Sequence, residues 1–265
     1  MDLWKYSEKV KVDMYDVDPW GDLRISRLTE RLLVAASRHL ERLDWSWTHL
    51  AKDLGVCLVL VESAVQTDKN ARLGDELTVT TWTGGKVYPI MFRGFEVRDS
   101  GGEKVASSFM RCVLMDMNTR TITNALKYNL TPLSQPDDMP DFAGLSARLR
   151  GFRRTSAGDA GTSFFTAREA YYADLDYNGH VNTARYAEYV EGLFPKEWRD
   201  RYVLTGMDVR YEKEIPQGMP LVIKGIDVRD AGVVEVTAEG DGQERFAARA
   251  YYSERKSVYS GPGGR

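Results

Sequence analysis

A degenerate internal repeat constrains the fold of this chain more than any other feature of its sequence. Residues 16–23 read DVDPWGDL, and residues 174–181 read DLDYNGHV. When Asp18 is aligned with Asp176, the glycines of the two segments coincide. Such self-similarity indicates two copies of one structural unit.

The residues around both segments follow one pattern. A strand-like run precedes each segment (residues 8–15 and 163–172), and a helix-like run follows it (residues 25–43 and 183–194). Further strand-like runs come next, separated by glycine turns, and their apolar and polar residues alternate as in strands with one buried face. In the first half these runs begin at residues 56 and 77, and in the second half at residues 203, 221 and 233.

These patterns predict an α+β protein built as a tandem (double) hot-dog, in which each half is a long helix wrapped by an antiparallel β-sheet. We expect the N-terminal hot-dog over residues 1–133 and the C-terminal one over residues 162–255. Residues 134–161, rich in proline and glycine near their start, are predicted to be a linker. Residues 256–265 end in GPGGR and are predicted to be a disordered tail.

Charge and composition exclude several classes of function. The net charge of -3 gives no electrostatic reason to expect binding to nucleic acid or an anionic membrane. No apolar run approaches the ~20 residues that a membrane span requires, and the N-terminus lacks the apolar stretch of a signal peptide. The two cysteines, Cys57 and Cys112, are predicted to be free thiols in a reducing cytoplasm.

The second copy of the repeated turn contains the side chains that could take part in acid–base chemistry. Residues 174–182 contain two aspartates, two asparagines and one of the three histidines of the chain. A helix is predicted directly after them, and unpaired N–H groups at a helix start polarise a carbonyl placed there. Acid–base side chains beside such donors suit acyl transfer, so this turn is predicted to be an active site.

A calcium site is the alternative that the same residues suggest, because the turn matches the opening of a D-x-D-x-N-G calcium loop. Such a loop needs a bidentate glutamate at its twelfth position, and that position holds Arg185. His180 also lacks a second His or Cys at ligand spacing. We therefore predict no metal and no cofactor.

The residues of the turn suggest individual roles. Asp176 could activate water or attack a thioester carbon, but an aspartate also caps turns, and the residue types leave both readings open. Asn178 could orient water, and His180 could exchange a proton near neutral pH.

Two motifs resemble those of the acyl-[acyl carrier protein] (ACP) thioesterases, the family that includes the plant FatA and FatB enzymes and bacterial relatives. The first is D-L-D-x-N-x-H-V-N at residues 174–182, and the second is Y-E-K-E at residues 211–214. The resemblance implies hydrolysis of fatty acyl-ACP to free fatty acid, which ends fatty acid synthesis. It also implies a catalytic set of Asp176, Asn178, His180 and Glu214.

Glu214 is assigned by this resemblance alone. The next residue is a cysteine in the plant enzymes and Ile215 here, which argues against a cysteine nucleophile and for carboxylate-based hydrolysis. In the first half, Trp20 and Asp22 stand at the positions of Asn178 and His180. The resemblance implies that this half holds the acyl chain, with Trp45, Trp47, Met91 and Phe92 as candidate lining residues.

Two other functions stay open at this point: a hot-dog thioesterase acting on acyl-CoA, and a non-catalytic acyl-binding hot-dog protein. The expected partner is acyl carrier protein with a fatty acyl thioester, and Lys213, Arg185 and the arginines of residues 148–154 are candidates to attract this acidic protein. We expect a monomer or a homodimer.

Overall fold

A computed structural model describes residues 3–87, 89–130, 137–152, 163–228 and 231–255. The predicted disordered tail and part of the predicted linker lie outside these ranges. In chain order the elements are β1 (Lys5–Lys11), α1 (Ile25–Glu41), β2 (Val56–Thr67), β3 (Glu76–Val87), β4 (Ile90–Asp99), β5 (Lys104–Asp116), β6 (Thr121–Ile122), α2 (Ala143–Arg150), β7 (Ser163–Glu169), α3 (Thr183–Glu191), α4 (Lys196–Arg201), β8 (Tyr202–Tyr211), β9 (Pro220–Val228), β10 (Val233–Gly240) and β11 (Gln243–Glu254).

One antiparallel sheet runs through both halves. Its strand order is β1-β3-β4-β5-β2-β8-β11-β10-β9-β7, with β6 paired to β5. Strands β2 and β8 join the halves, from Glu62 opposite Arg210 to Gln66 opposite Gly206. Each half is therefore an antiparallel sheet with its own helix, as predicted from the repeat. The helix of the first half has 17 residues, whereas that of the second half has 9 and ends at Glu191, before the predicted residue 194.

The two long helices cover the same side of the sheet. Helix α1 buries Ile25, Leu28, Leu32 and Ala35, whose spacing of three to four residues places them on one face. Its start is tied to the end of α3, because Glu191 accepts the Ser26 N–H at 2.9 Å. None of the helices in the described part of the chain has both the length and the apolar character needed to span a bilayer.

Part of the predicted linker is a helix. Leu145 and Leu149 of α2 are buried with Trp82 and Phe109 on the side of the sheet opposite α1. Between them, Arg148 reaches the fully buried carboxylate of Asp208 on β8. Helix α2 therefore covers the seam between the halves, because its two leucines lie four residues apart and share one face.

The repeated turns have the same hydrogen bonds. In the first, Asp18 N–H donates to Asp22 O and Gly21 N–H donates to Asp18 O, both at 2.9 Å. The second turn repeats these bonds at 3.0 and 3.1 Å among Asp176, His180 and Gly179. Both glycines have φ of 80°, a conformation in which other residues are strained. The sequence repeat is thus a repeat of backbone structure.

Candidate active site

The turn before α3 holds three of the predicted site residues close together. Asp176 Oδ1 accepts the Asn178 N–H at 2.8 Å, and Asp176 Oδ2 lies 3.3 Å from Asn178 Nδ2. His180 Nδ1 lies 3.9 Å from Asp176 Oδ1. Asp176 therefore shapes the turn, as a capping aspartate would, and also presents its carboxylate to the histidine.

Asp174 stabilises this turn through its buried side chain and its carbonyl. Its buried carboxylate accepts bonds from Arg168 Nη2 at 3.0 Å, from the Tyr171 N–H at 3.0 Å and from the Tyr189 hydroxyl at 2.8 Å. Its carbonyl accepts the Asn182 N–H at 2.8 Å. With these bonds Asp174 fixes the backbone of the turn, and none of them involves Asp176, Asn178 or His180.

The start of α3 is capped as expected for an asparagine. The Asn182 side chain accepts the Ala184 N–H at 2.9 Å, and its carbonyl accepts the Arg185 N–H at 2.9 Å. Within the described residues the Thr183 N–H has no acceptor. This amide is therefore the donor at the helix start that remains open to a ligand.

Glu214 joins the site from the segment after β8. The Val181 N–H donates to Ile215 O at 2.9 Å, and His180 forms a bridge with Pro216. This pairing brings Glu214 Oε1 to 3.8 Å from His180 Nε2. The structure thus brings all four predicted residues together, with the imidazole between two carboxylates.

Arg120 is a site residue that the sequence analysis missed. It lies in the turn between β5 and β6 of the N-terminal half, and its Nη2 is 2.8 Å from Glu214 Oε2. The turn is braced by Asp116, whose carboxylate accepts the N–H groups of Asn118 and Thr119 at 2.9 Å. No local motif marks Arg120, because its partner belongs to the other half of the chain.

A cavity of about 590 Å³ opens between the halves at this point. All four predicted residues line it, together with Arg120. A second cavity of about 250 Å³ continues from it into the N-terminal half, and Trp47, Leu58, Leu60 and Thr183 line both. We call the second cavity the apolar chamber. Its lining includes all four side chains proposed for the acyl chain: Trp45, Trp47, Met91 and Phe92.

The interior of the C-terminal half is occupied differently. Tyr186, Tyr189, Phe194 and Phe246 are buried there in one cluster. The ring centroids of Tyr186 and Phe246 are 5.2 Å apart, an edge-to-face contact. These aromatic rings pack the interior of the C-terminal half.

Comparison with known proteins agrees with the geometry. The model of the acyl-ACP thioesterase N-terminal domain matches residues 4–130, and that of the C-terminal domain matches residues 159–251. The chain belongs to the acyl-ACP thioesterase family. No curated protein sequence matches it.

Solved structures of this family share the fold over nearly the whole chain. An acyl-ACP thioesterase from Bacteroides thetaiotaomicron is 21% identical with a TM-score of 0.75, over 94% of this chain and 98% of that one. A putative oleoyl thioesterase from Lactobacillus plantarum is 22% identical with a TM-score of 0.79, over 97% of each chain. A 12:0-ACP thioesterase from Umbellularia californica is 19% identical with a TM-score of 0.77, over 96% of this chain and 99% of that one. The predicted double hot-dog fold is confirmed.

In the first half of this acyl-ACP thioesterase, the equivalent turn has Trp20 and Asp22 in place of Asn178 and His180. Asp18 and Asp22 both form ion pairs with Arg255, whose Nη2 lies 2.9 Å from Asp18 Oδ2. The Arg255 guanidinium also stacks on Trp20 at 4.5 Å. Arg72 Nη2 also lies 3.2 Å from Asp22 Oδ1, so two guanidinium groups balance the two carboxylates and hold them in place. We therefore interpret the first turn as structural.

Cys57 lies in the wall of the cavity of about 590 Å³ that the four predicted site residues line, a position that its sequence neighbours did not indicate. Burial raises the pKa of the Cys57 thiol, which keeps it protonated at neutral pH. A protonated thiol is a poor nucleophile. In this member of the family, the carboxylates are better suited than Cys57 to drive hydrolysis.

Proposed function

We propose that this acyl-ACP thioesterase releases free fatty acid with Asp176, Asn178, His180 and Glu214 as its catalytic residues. The observation that carries the proposal is the position of His180 between the Asp176 and Glu214 carboxylates. These groups line a cavity that continues into the apolar chamber. The acyl chain of the substrate therefore occupies the N-terminal half, and the C-terminal half supplies the reacting groups.

In this mechanism the thioester carbonyl lies at the start of α3. Its oxygen accepts the free Thr183 N–H, which stabilises the negative charge that develops on it. A water molecule attacks the carbonyl carbon while Asp176 accepts a proton from the water. The C–S bond then breaks, and the leaving thiolate takes a proton from His180.

Two contacts favour water over direct attack by Asp176. Both oxygens of this carboxylate face donors of Asn178, at 2.8 and 3.3 Å. These bonds fix the orientation of the carboxylate within the turn, and each oxygen keeps a further lone pair that can accept a hydrogen bond from water. They leave the carboxylate able to orient and deprotonate water.

Glu214 and Arg120 support the proton transfer. Glu214 Oε1 faces His180 and stabilises the imidazolium, while Oε2 is held by Arg120. Because each carboxylate oxygen has its own partner, the orientation of Glu214 toward the histidine is maintained.

The test is hydrolysis of matched acyl groups, from medium to long, on acyl carrier protein and on coenzyme A. We expect release of free acid mainly from the carrier protein. Faster hydrolysis of acyl-CoA would be consistent with the proposed thioester hydrolysis but would exclude acyl-ACP as the preferred substrate. Tight acyl binding without hydrolysis of either substrate would exclude an enzymatic function and favour a non-catalytic acyl-binding protein.

The docking of the carrier protein involves fewer basic residues than the sequence suggested. Lys213 lies at the cavity, whereas Arg185 pairs with Glu188 and Arg148 with Asp208. Arg150 is exposed at the end of α2, where its Nη1 donates to Ser146 Oγ at 2.9 Å. The candidates at 153 and 154 lie outside the described residues. We propose that Lys213 contributes to the attraction of acidic acyl carrier protein.

We further propose that the enzyme acts in the cytoplasm, since Cys57 and Cys112 are free thiols and a reducing compartment preserves that state. Its two halves already pair internally through β2 and β8, which favours a monomer. The outer strands β1 and β7 each end the sheet and could pair with a second copy. The molar mass in solution decides between monomer and homodimer.

A further inference from the structure

The apolar chamber contains a buried cation. Arg93 of β4 is 8% exposed, and its Nη1 lies 3.0 Å from His39 Nδ1 and 3.1 Å from Thr81 Oγ1. Among the described residues no carboxylate pairs with it. Burial lowers the pKa of Arg93 to about 10, so the guanidinium is charged at neutral pH. A buried charge without a counter-ion is costly unless other groups solvate it.

Part of the hydrogen-bonding capacity of Arg93 is unused. A guanidinium carries five N–H donors. The two contacts above involve Nη1, and the Nε and Nη2 donors have no acceptor in the described ranges. Since Arg93 lines the chamber, a ligand inside it can meet these donors.

Thr83 provides a second unused polar group beside Arg93. It stands directly opposite Arg93 in the β3–β4 pairing, so the two side chains share one face of the sheet, with Cβ atoms ~5 Å apart. Thr83 is 1% exposed and also lines the chamber. Its Oγ1 is buried and, within the described part of the chain, has no hydrogen-bond partner.

Neither Arg93 nor Thr83 lines the cavity that holds the four proposed catalytic residues. Met115 of β5 lines the catalytic cavity, whereas Met110, the partner of Arg93 on β5, lines the chamber. The two methionines are five residues apart, about 17 Å at a rise of ~3.4 Å per residue. The walls between are largely apolar, with Leu33, Leu40, Leu58 and Leu60 among them.

We propose that Arg93 and Thr83 form a recognition site for a hydroxyl group near the far end of the acyl chain. A hydroxyl oxygen can accept a bond from the Arg93 guanidinium and donate its proton to Thr83 Oγ1. A plain methyl end satisfies neither group and displaces the water that would otherwise solvate the charge. The inference rests on the proposed hydrolysis and names oxygenated fatty acyl-ACP as its preferred substrate class.

The test compares acyl-ACP substrates of equal chain length, with and without a terminal hydroxyl, from medium to long. At the length that reaches Arg93, we expect kcat/KM for the hydroxylated chain to be about 10- to 100-fold higher. Arg93→Met should abolish this ratio, and Thr83→Val should reduce it. The matched control is Ser108→Ala, which removes another buried hydroxyl without a partner, one that does not line the chamber, and should leave the ratio unchanged.

The outcomes separate this inference from the proposed function. If unsubstituted chains are hydrolysed as well as hydroxylated ones at every length, water solvates Arg93 and the inference is wrong, while the thioesterase activity stands. If neither kind of chain is hydrolysed, the proposed function itself fails. Should Arg93→Met not fold, Thr83→Val decides, since a ratio equal to that of the wild type would overturn the inference.

Discussion

Replacement of Asp176 by asparagine separates the chemical role of this residue from its role in the turn. Asparagine retains one side-chain oxygen, so it can still accept the Asn178 N–H that Asp176 Oδ1 binds at 2.8 Å. The change removes the negative charge and the ability to accept a proton. It also replaces the second oxygen, which faces Asn178 Nδ2 at 3.3 Å.

The expected magnitudes follow from these contacts. Loss of a positioned general base lowers kcat by about 100- to 10,000-fold. Loss of one long, partly exposed hydrogen bond costs at most about 1 kcal/mol of unfolding free energy. Asp176→Asn should therefore be a folded protein with little activity. Single-turnover hydrolysis of acyl-ACP, together with urea unfolding, measures both quantities.

The repeat supplies a matched control. Asp18 occupies the equivalent turn in the first half, and its Oδ1 accepts the Trp20 N–H at 2.9 Å as Asp176 accepts that of Asn178. Asp18→Asn makes the same chemical change away from the catalytic cavity, and it also weakens the ion pair with Arg255. We expect it to lose stability and keep its kcat.

Two results would refute this reasoning. The first is an Asp176→Asn protein whose kcat stays within about threefold of the wild type, because general-base catalysis contributes far more than that. The second is an equal loss of kcat in both asparagine variants, which would show that the turns act through structure alone.

Three further predictions concern the support of the site and of the fold. Glu214→Gln removes the charge facing His180 and should lower kcat about 100-fold, whereas Arg120→Ala only loosens Glu214 and should lower kcat less, as steady-state kinetics will show. Asp208→Ala leaves a partly buried arginine without its carboxylate and should cost about 3–5 kcal/mol in urea unfolding; an unchanged midpoint would contradict this. Treatment with a metal chelator should leave kcat unchanged, since carboxylates and an imidazole suffice for the proposed steps; a large loss would point to a metal.

The architecture was predictable because its signals are local. Alternating strands, glycine turns and helical runs occur twice in the same order, and each can be recognised from a short stretch of consecutive residues. The turn at residues 174–182 is equally local, since Asp176 bonds to a residue two positions away and Gly179 adopts a positive φ. Glu214 was found only through family resemblance, because its pairing with His180 depends on the bridge to Pro216.

The sequence by itself therefore determined the repeat and the two hot-dog halves and indicated three of the four proposed catalytic residues, because the signals for all of them lie in short stretches of the chain. Only the tertiary structure decided that Arg120 reaches Glu214, that α2 covers the seam and that Arg93 lines the apolar chamber. These features arise where distant segments pack together. Such packing depends on the shapes and charges of both surfaces, which no single stretch of sequence records.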